Sequence, residues 1–149
     1  MINDEALVLP IIEAVARTGK LLAFHIGADA PENTHPTRLG AIARRYPDLR
    51  LIIVHMGGAA YPDLSHTAIE VASEHPNITL IGSAIGPIPI LDGIRTLGAN
   101  RICFGSDTPI ELMHVELAKY RALLDGEVPA DEQELILAGN LLRLLGVSG

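Results

Sequence analysis

Short aliphatic runs alternate with amphipathic stretches along this chain. Four runs, "LLAFHIG", "LIIVHMGG", "NITLIGSA" and "RICFGSDTP", are rich in Leu, Ile and Val and bounded by turn residues, the pattern of short strands. Between them the apolar positions recur at helical spacing. "PIIEAVARTG" reads as a helix closed by Gly19, and "TRLGAIARRYP" places Leu39, Ile42, Ala43 and Tyr46 on one face, with Thr37 as its cap and Pro47 just past its end. "YPDLSHTAIEVASEHP" does the same with Leu64, Ala68, Val71 and Ala72; "PIPILDGIRTLGAN" is a shorter helix, and "IELMHVELAKYRALLDG" and "DEQELILAGNLLRLLG" are two closing ones. "ADAPENTHP" is a loop. The strand runs are continuously aliphatic instead of alternating, which predicts a parallel sheet covered by helices. With no break in composition, residues 1–149 form a single domain of four strand-helix units.

Three of the four strands end on a residue with chemistry: His25 in "FHIG", His55 in "VHMGG" and Asp107 in "FGSDTP". His55 follows His25 by 30 residues and Asp107 follows His55 by 52, one and then two strand-helix units, so all three fall at the carboxyl end of the sheet. That is where active sites sit in parallel α/β folds. Two imidazoles and a carboxylate are a plausible ligand set for a catalytic zinc, which takes three protein ligands and leaves a position for water; the set also suits iron or manganese. Gly57 and Gly58 let the chain turn tightly beside His55, and Gly105 makes room beside Asp107. Each residue also has a plainer use. A strand-end histidine serves as a hydrogen-bonded core or capping residue, and Asp107 in "SDTP" suits the start of a turn into the next helix. His35 and His114 lie near the same end and are secondary candidates. His66 and His75 read as a surface and a helix-end residue.

Composition narrows the function. A net charge of -7 and a pI near 5.2 exclude a nucleic-acid partner, which needs basic clusters. No stretch reaches the roughly 18 to 20 apolar residues of a membrane span and the start lacks the pattern of a leader, so the expectation is a cytoplasmic protein with a small-molecule substrate and no membrane partner. The single cysteine, Cys103, reads as inert core packing. Arg17, Lys20, Arg44, Arg45, Arg50, Arg95 and Arg101 fall on the face opposite His25 and Asp107, whereas Asp29, Glu32, Asp63, Asp92, Asp107 and Glu111 fall in the loops after the strands with Arg38 as the one nearby base. Such a mouth attracts a cation, although helix dipoles produce the same segregation. No Gly-rich phosphate loop is present.

"LLAFHIG", "RYPDLRLIIVHMGG", "EHPNITL", "LGANRICFGSDTP" and "AGNLLRLLG" resemble, in order and spacing, the carboxyl-terminal half of the amidohydrolase-related family of metal-dependent (β/α)8 barrels, from about Ile11 to Val147. The resemblance implies an α/β fold, a parallel (βα)4 half-barrel like strands five to eight of a TIM barrel. It implies that His25 and Asp107 bind a divalent metal, most readily zinc, and that His55, at the same metal, orients the reacting water or substrate. His55 and Asp107 would then be the catalytic pair. The implied reaction is hydrolysis of an amide, ester or lactone, the alternatives being nonoxidative decarboxylation and a catalytically incompetent half-barrel subunit. The family's first strand carries a His-x-His pair that this chain lacks, and a whole barrel takes about 250 residues. Four strands would leave two edges and an apolar inner wall bare, so the expected partner is a second copy in a homodimer or a complementary half-barrel chain.

Overall fold

The computed structural model describes residues 1–147. Helix α1 (Leu9–Ala16) leads into strand β1 (Leu22–His25), a single helical turn α2 (Pro31–Thr34) and helix α3 (Pro36–Arg45). Strand β2 (Leu51–Val54), helix α4 (Leu64–Glu74), strand β3 (Ile78–Gly82), helix α5 (Pro87–Leu97), strand β4 (Ile102–Phe104) and helix α6 (Met113–Leu124) continue the alternation. The chain closes with α7 (Ala130–Glu134) and α8 (Asn140–Leu145), joined by a π-helical turn at Leu135–Gly139 into one run. The four strands pair in sequence order and all in parallel.

Strand register separates two faces. Leu22, Phe24, Leu51, Ile53, Ile78, Leu80, Ile102 and Phe104 share one face, and all belong to or pack against the single apolar cluster that also holds Ile12, Leu39, Ile42, Ala68, Ala72, Ile90, Tyr120 and Ile136 of the helices. Ala23, His25, Ile52, Val54, Thr79, Ile81 and Cys103 share the other, and none of them joins that cluster. The helices therefore cover one side of the sheet, which is the arrangement of a barrel wall and not of a doubly wound sheet, whose helices cover both. The second face is less bare than the sequence suggests. Ala23 and His25 are exposed and Val54 and Ile81 half-buried, but Ile52, Thr79 and Cys103 are buried, because side chains converge on the inside of a curving sheet. Burial pushes the Cys103 thiol up to about 11, which suits its expected inert role.

Three local expectations change. The loop "ADAPENTHP" contains the turn α2, opened by Pro31 at its first position. The cap of α3 is His35 and not Thr37: the His35 Nδ1 accepts from the Thr37 backbone N–H at 3.4 Å and lies 2.8 Å from its hydroxyl. Asp92 is not a loop residue but sits inside α5, 3.9 Å from Arg95.

The amino end of the sheet is tied by side chains that take up free carbonyls. The Asn77 amide donates to Ala43, Tyr46 and Leu49, Arg101 donates to Ala72, His75 and Ile78, and the buried Asn140 donates to Ala99 and Ile102 at 2.7 and 2.8 Å. Arg50 joins the carbonyls of Gly19 and Leu144. Among the described residues no helix is long and apolar enough to cross a membrane.

Candidate metal and catalytic site

His25 is the last residue of β1 and pairs in register with Val54, so its ring lies on the helix-free face, where it is exposed. Strand alternation would send His55, one residue after Val54, to the opposite side. It does not, because β2 ends in a left-handed turn: His55, Met56 and Gly57 have φ of 59°, 45° and 76°. The turn drives Met56 into the helix-side core, where it is fully buried, and brings the His55 ring edge-on to His25, with centroids 4.7 Å apart and planes at 77°. Positive φ at a non-glycine residue costs on the order of 1–3 kcal/mol, offset here by burial of the Met56 side chain.

A close backbone contact holds the two histidine loops together. A Cβ on Gly27 would fall 1.8 Å from the Gly57 carbonyl oxygen and 2.7 Å from the Gly58 nitrogen, so "HIG" packs directly on "HMGG". The Gly27 carbonyl also accepts from the Ala60 N–H at 2.7 Å and the Tyr61 N–H at 3.3 Å. The contact accounts for the glycine after His25; those after His55 answer to α4, since a Cβ on Gly57 would lie 3.0 Å from the Ala68 Cβ and one on Gly58 2.0 Å from the Ser65 hydroxyl.

The His55 Nδ1 lies 3.0 Å from both the carbonyl and the hydroxyl oxygen of Ser83, the residue that follows β3. A carbonyl only accepts, so the bond to it uses an Nδ1–H, the tautomer in which a neutral imidazole keeps its lone pair on Nε2. Ser83 was missed from the sequence. The signal was available: it occupies, after the third strand, the place that His25, His55 and Asp107 mark near the ends of the other three.

Asp107 follows β4 with φ of 60°. Its main-chain carbonyl accepts from Ile110 and Glu111, and Ser106 and Thr108 bond each other through their hydroxyls at 3.0 Å, so the turn is built without the Asp107 carboxylate. Gly105 makes room, but for β3 and not for Asp107: a Cβ there would meet Ile81 at 2.4 Å and Ser83 at 2.9 Å. The secondary candidates separate. His35 is a helix cap, and His114 and His66 are exposed on helices. Arg38 donates to the Glu32 carbonyl and to Asn3. A second cation at this end escaped the sequence reading: Lys119 of α6 donates to the Ile85 carbonyl, in the segment after β3, at 2.9 Å and pairs with Glu116 at 2.6 Å.

The structure thus joins His25 and His55, and joins Ser83 to His55. It does not gather Asp107 with the two imidazoles: among the described residues no three His, Cys, Asp or Glu side chains are grouped as a metal-holding set. Of these donors the solvent-reachable His25 suits a ligand of a divalent site and the oriented His55 a group beside it, and the rest of such a site is left to other groups.

The family described as amidohydrolase matches residues 2–147. The chain belongs to the amidohydrolase family. L-fucono-1,5-lactonase of Burkholderia ambifaria is 30% identical over 141 residues, covering 81% of this chain and 46% of that protein. An uncharacterized TIM-barrel protein from Bordetella bronchiseptica superposes with a TM-score of 0.82 at 22% identity, covering 98% of this amidohydrolase chain and 52% of its own. An amidohydrolase from Burkholderia multivorans with bound Zn gives 0.81 at 14% identity, covering 99% and 60%. A dihydroxybenzoic acid decarboxylase from Polaromonas with bound manganese gives 0.70 at 17%, covering 97% and 55%. The chain spans about half the length of these relatives, and its four parallel strands and their helices are half of a TIM-barrel wall.

Proposed function

We propose that this amidohydrolase chain carries part of the site of a metal-dependent hydrolase that acts on a carbonyl-containing small molecule, an amide, an ester or a lactone, with a sugar lactone the first to try because of the likeness to the lactonase. The reading rests above all on the paired rings of His25 and His55, with the His55 Nδ1 held against the Ser83 carbonyl and Nε2 free of that contact. His25 is a metal ligand in this reading. The Nε2 of His55 would accept a hydrogen bond from the attacking water beside that ion. Asp107, at the same end of the sheet and with its carboxylate free of turn duty, would be the further ligand this chain offers and would take the water's proton. The ion is zinc first, with manganese or iron as alternatives. When bound, a divalent ion would lower the pKa of its water toward about 7.

The missing donors come from another four-stranded unit that continues the sheet past β1 and β4, most simply a second copy of this chain. Two such units make the eight strands of a barrel, and each is about half the length of the relatives.

Metal analysis of the purified chain, followed by a lactone-hydrolysis assay with pH-indicator readout, tests the proposal. His25→Ala and Asp107→Ala should abolish tight metal binding and turnover, and His55→Ala should keep the metal and lose about 100-fold or more in kcat. Unchanged metal content and turnover in all three variants would remove the site. A second reading, a subunit without activity of its own, is favoured by the lack of a gathered three-donor set among the described residues. It predicts no tight metal and no turnover in the chain alone. Carbon dioxide release from dihydroxybenzoates, in place of lactone opening, would move the assignment to decarboxylation.

A further inference from the structure

Helix α6 lies on the helix side of the sheet, yet two of its side chains reach the segment Gly82–Ile85 at the site end. The fully buried Tyr120 donates its hydroxyl to the Gly82 carbonyl at 2.6 Å. Lys119 donates to the Ile85 carbonyl at 2.9 Å, and the buried Glu116, 2.6 Å away, holds its ammonium group. Between these anchors the backbone passes through Ser83 and through Ala84, which has a left-handed φ of 48°. A segment bent in this way does not keep its shape by local preference, because the left-handed region is unfavourable for alanine. The two anchors hold it on either side of the one residue whose carbonyl meets the His55 ring.

We propose that Tyr120 and Lys119 are positioning residues: by fixing the Gly82–Ile85 segment they hold the Ser83 carbonyl against His55 Nδ1 and so keep the ring in the tautomer whose Nε2 is an acceptor. Neither residue touches the site itself. A free neutral imidazole populates both tautomers, and the bond made by one ring nitrogen sets which is present. In the other tautomer Nδ1 would bring a lone pair to the carbonyl oxygen, and Nε2 would carry the proton and lose its ability to ligate or accept. Glu116 keeps the Lys119 ammonium aimed at the Ile85 carbonyl, so the anchor has a purpose for a buried carboxylate that the hydrolytic reading leaves unused.

The proposal deepens the reading of His55 as a site residue, but its test needs neither metal nor substrate. In the metal-free chain labelled with ¹⁵N-histidine, at one alkaline pH where the ring is neutral, the wild-type His55 should show one protonated and one unprotonated ring nitrogen, with Nδ1 protonated. Lys119→Met and Tyr120→Phe should each lose that separation, the two shifts moving toward their average, while the other five histidines stay put and the chain stays folded by circular dichroism. Lys119→Arg, which keeps a charged donor, should restore the wild-type pattern. Where Tyr120→Phe unfolds the chain, the Lys119 pair decides alone. An unchanged His55 signature in a folded Lys119→Met chain would overturn the proposal, as would wild-type spectra with the proton on Nε2. Failure of the lactone assay alone would leave these spectra as predicted and would count against the hydrolytic reading only.

Discussion

Gly27 and Gly19 both have positive φ, 81° and 67°, yet only Gly27 has neighbours where a side chain would go. Substituting alanine at each separates backbone strain from contact. Gly19→Ala should cost about 1 kcal/mol, from strain alone. Gly27→Ala must also push the Gly57–Gly58 backbone away and should cost roughly 3 kcal/mol or more, lowering the melting temperature by about 6 °C or more. On the proposed metal site it should also weaken metal binding, because it parts the loops that hold His25 and His55; calorimetric melting and metal titration of the two variants check both effects. Equal losses at the two glycines would show that the loop contact carries no weight. At this scale the sequence was partly legible. The polar residues at the strand ends stood out, but the reason His55 faces His25 lay in a left-handed turn that no hydrophobic pattern encodes.

At the scale of elements, the amino end of the sheet is a set of carbonyl clamps and the carboxyl end is a set of turns. Arg101 is half-buried, and burial lowers its pKa, but a guanidinium remains charged and satisfies the last carbonyls of α4 and the turn into β3. This gives a structural duty to one of the cations that the sequence reading saw gathered on this face. Arg101→Met and Asn140→Ala should each leave buried carbonyls unpaired and cost about 2–3 kcal/mol in urea denaturation, with metal affinity at the proposed site unchanged because both lie at the end away from His25 and His55. A loss of metal without loss of stability would contradict this division of labour between the two ends. Helix positions were readable because Leu39, Ile42, Ala43, Ala68 and Ala72 recur at helical spacing and do face the core. The cap of α3 was not, since Thr37 and His35 are both able to cap and only the entry angle of the chain selects the histidine. The reach of Lys119 from α6 to Ile85 was equally hidden: the contact spans 34 residues.

For the whole molecule, β1 and β4 each pair on one side only, and Ala23 and His25 stand exposed on the face away from the helices. Open parallel edges invite pairing with another chain. If a second copy supplies the rest of the barrel, light scattering should return twice the 15.9 kDa of the chain, and Ala23→Lys, which places a charge on the inner wall, should return a folded monomer. A wild-type chain that stays monomeric and well folded at high concentration would count against the second copy and leave a distinct half-barrel, on another chain or on the same one, to complete the wall. The burial of Ile52, Thr79 and Cys103 on this face leaves less apolar wall to cover than the sequence implied, so the contact depends more on the strand edges than on the interior.

The sequence by itself determined the alternation of strands and helices, the parallel sheet and the common end at which His25, His55 and Asp107 stand, because hydrophobic periodicity and the spacing of polar residues are local properties that survive without coordinates. Tertiary structure alone decided that the helices cover one face, that His55 turns against its strand's alternation to meet His25, and that Ser83 meets its Nδ1. Each of those depends on contacts between segments 28 or more residues apart, such as His55 with Ser83, or on backbone angles set by packing, as at His55 and Met56. A one-dimensional pattern carries neither.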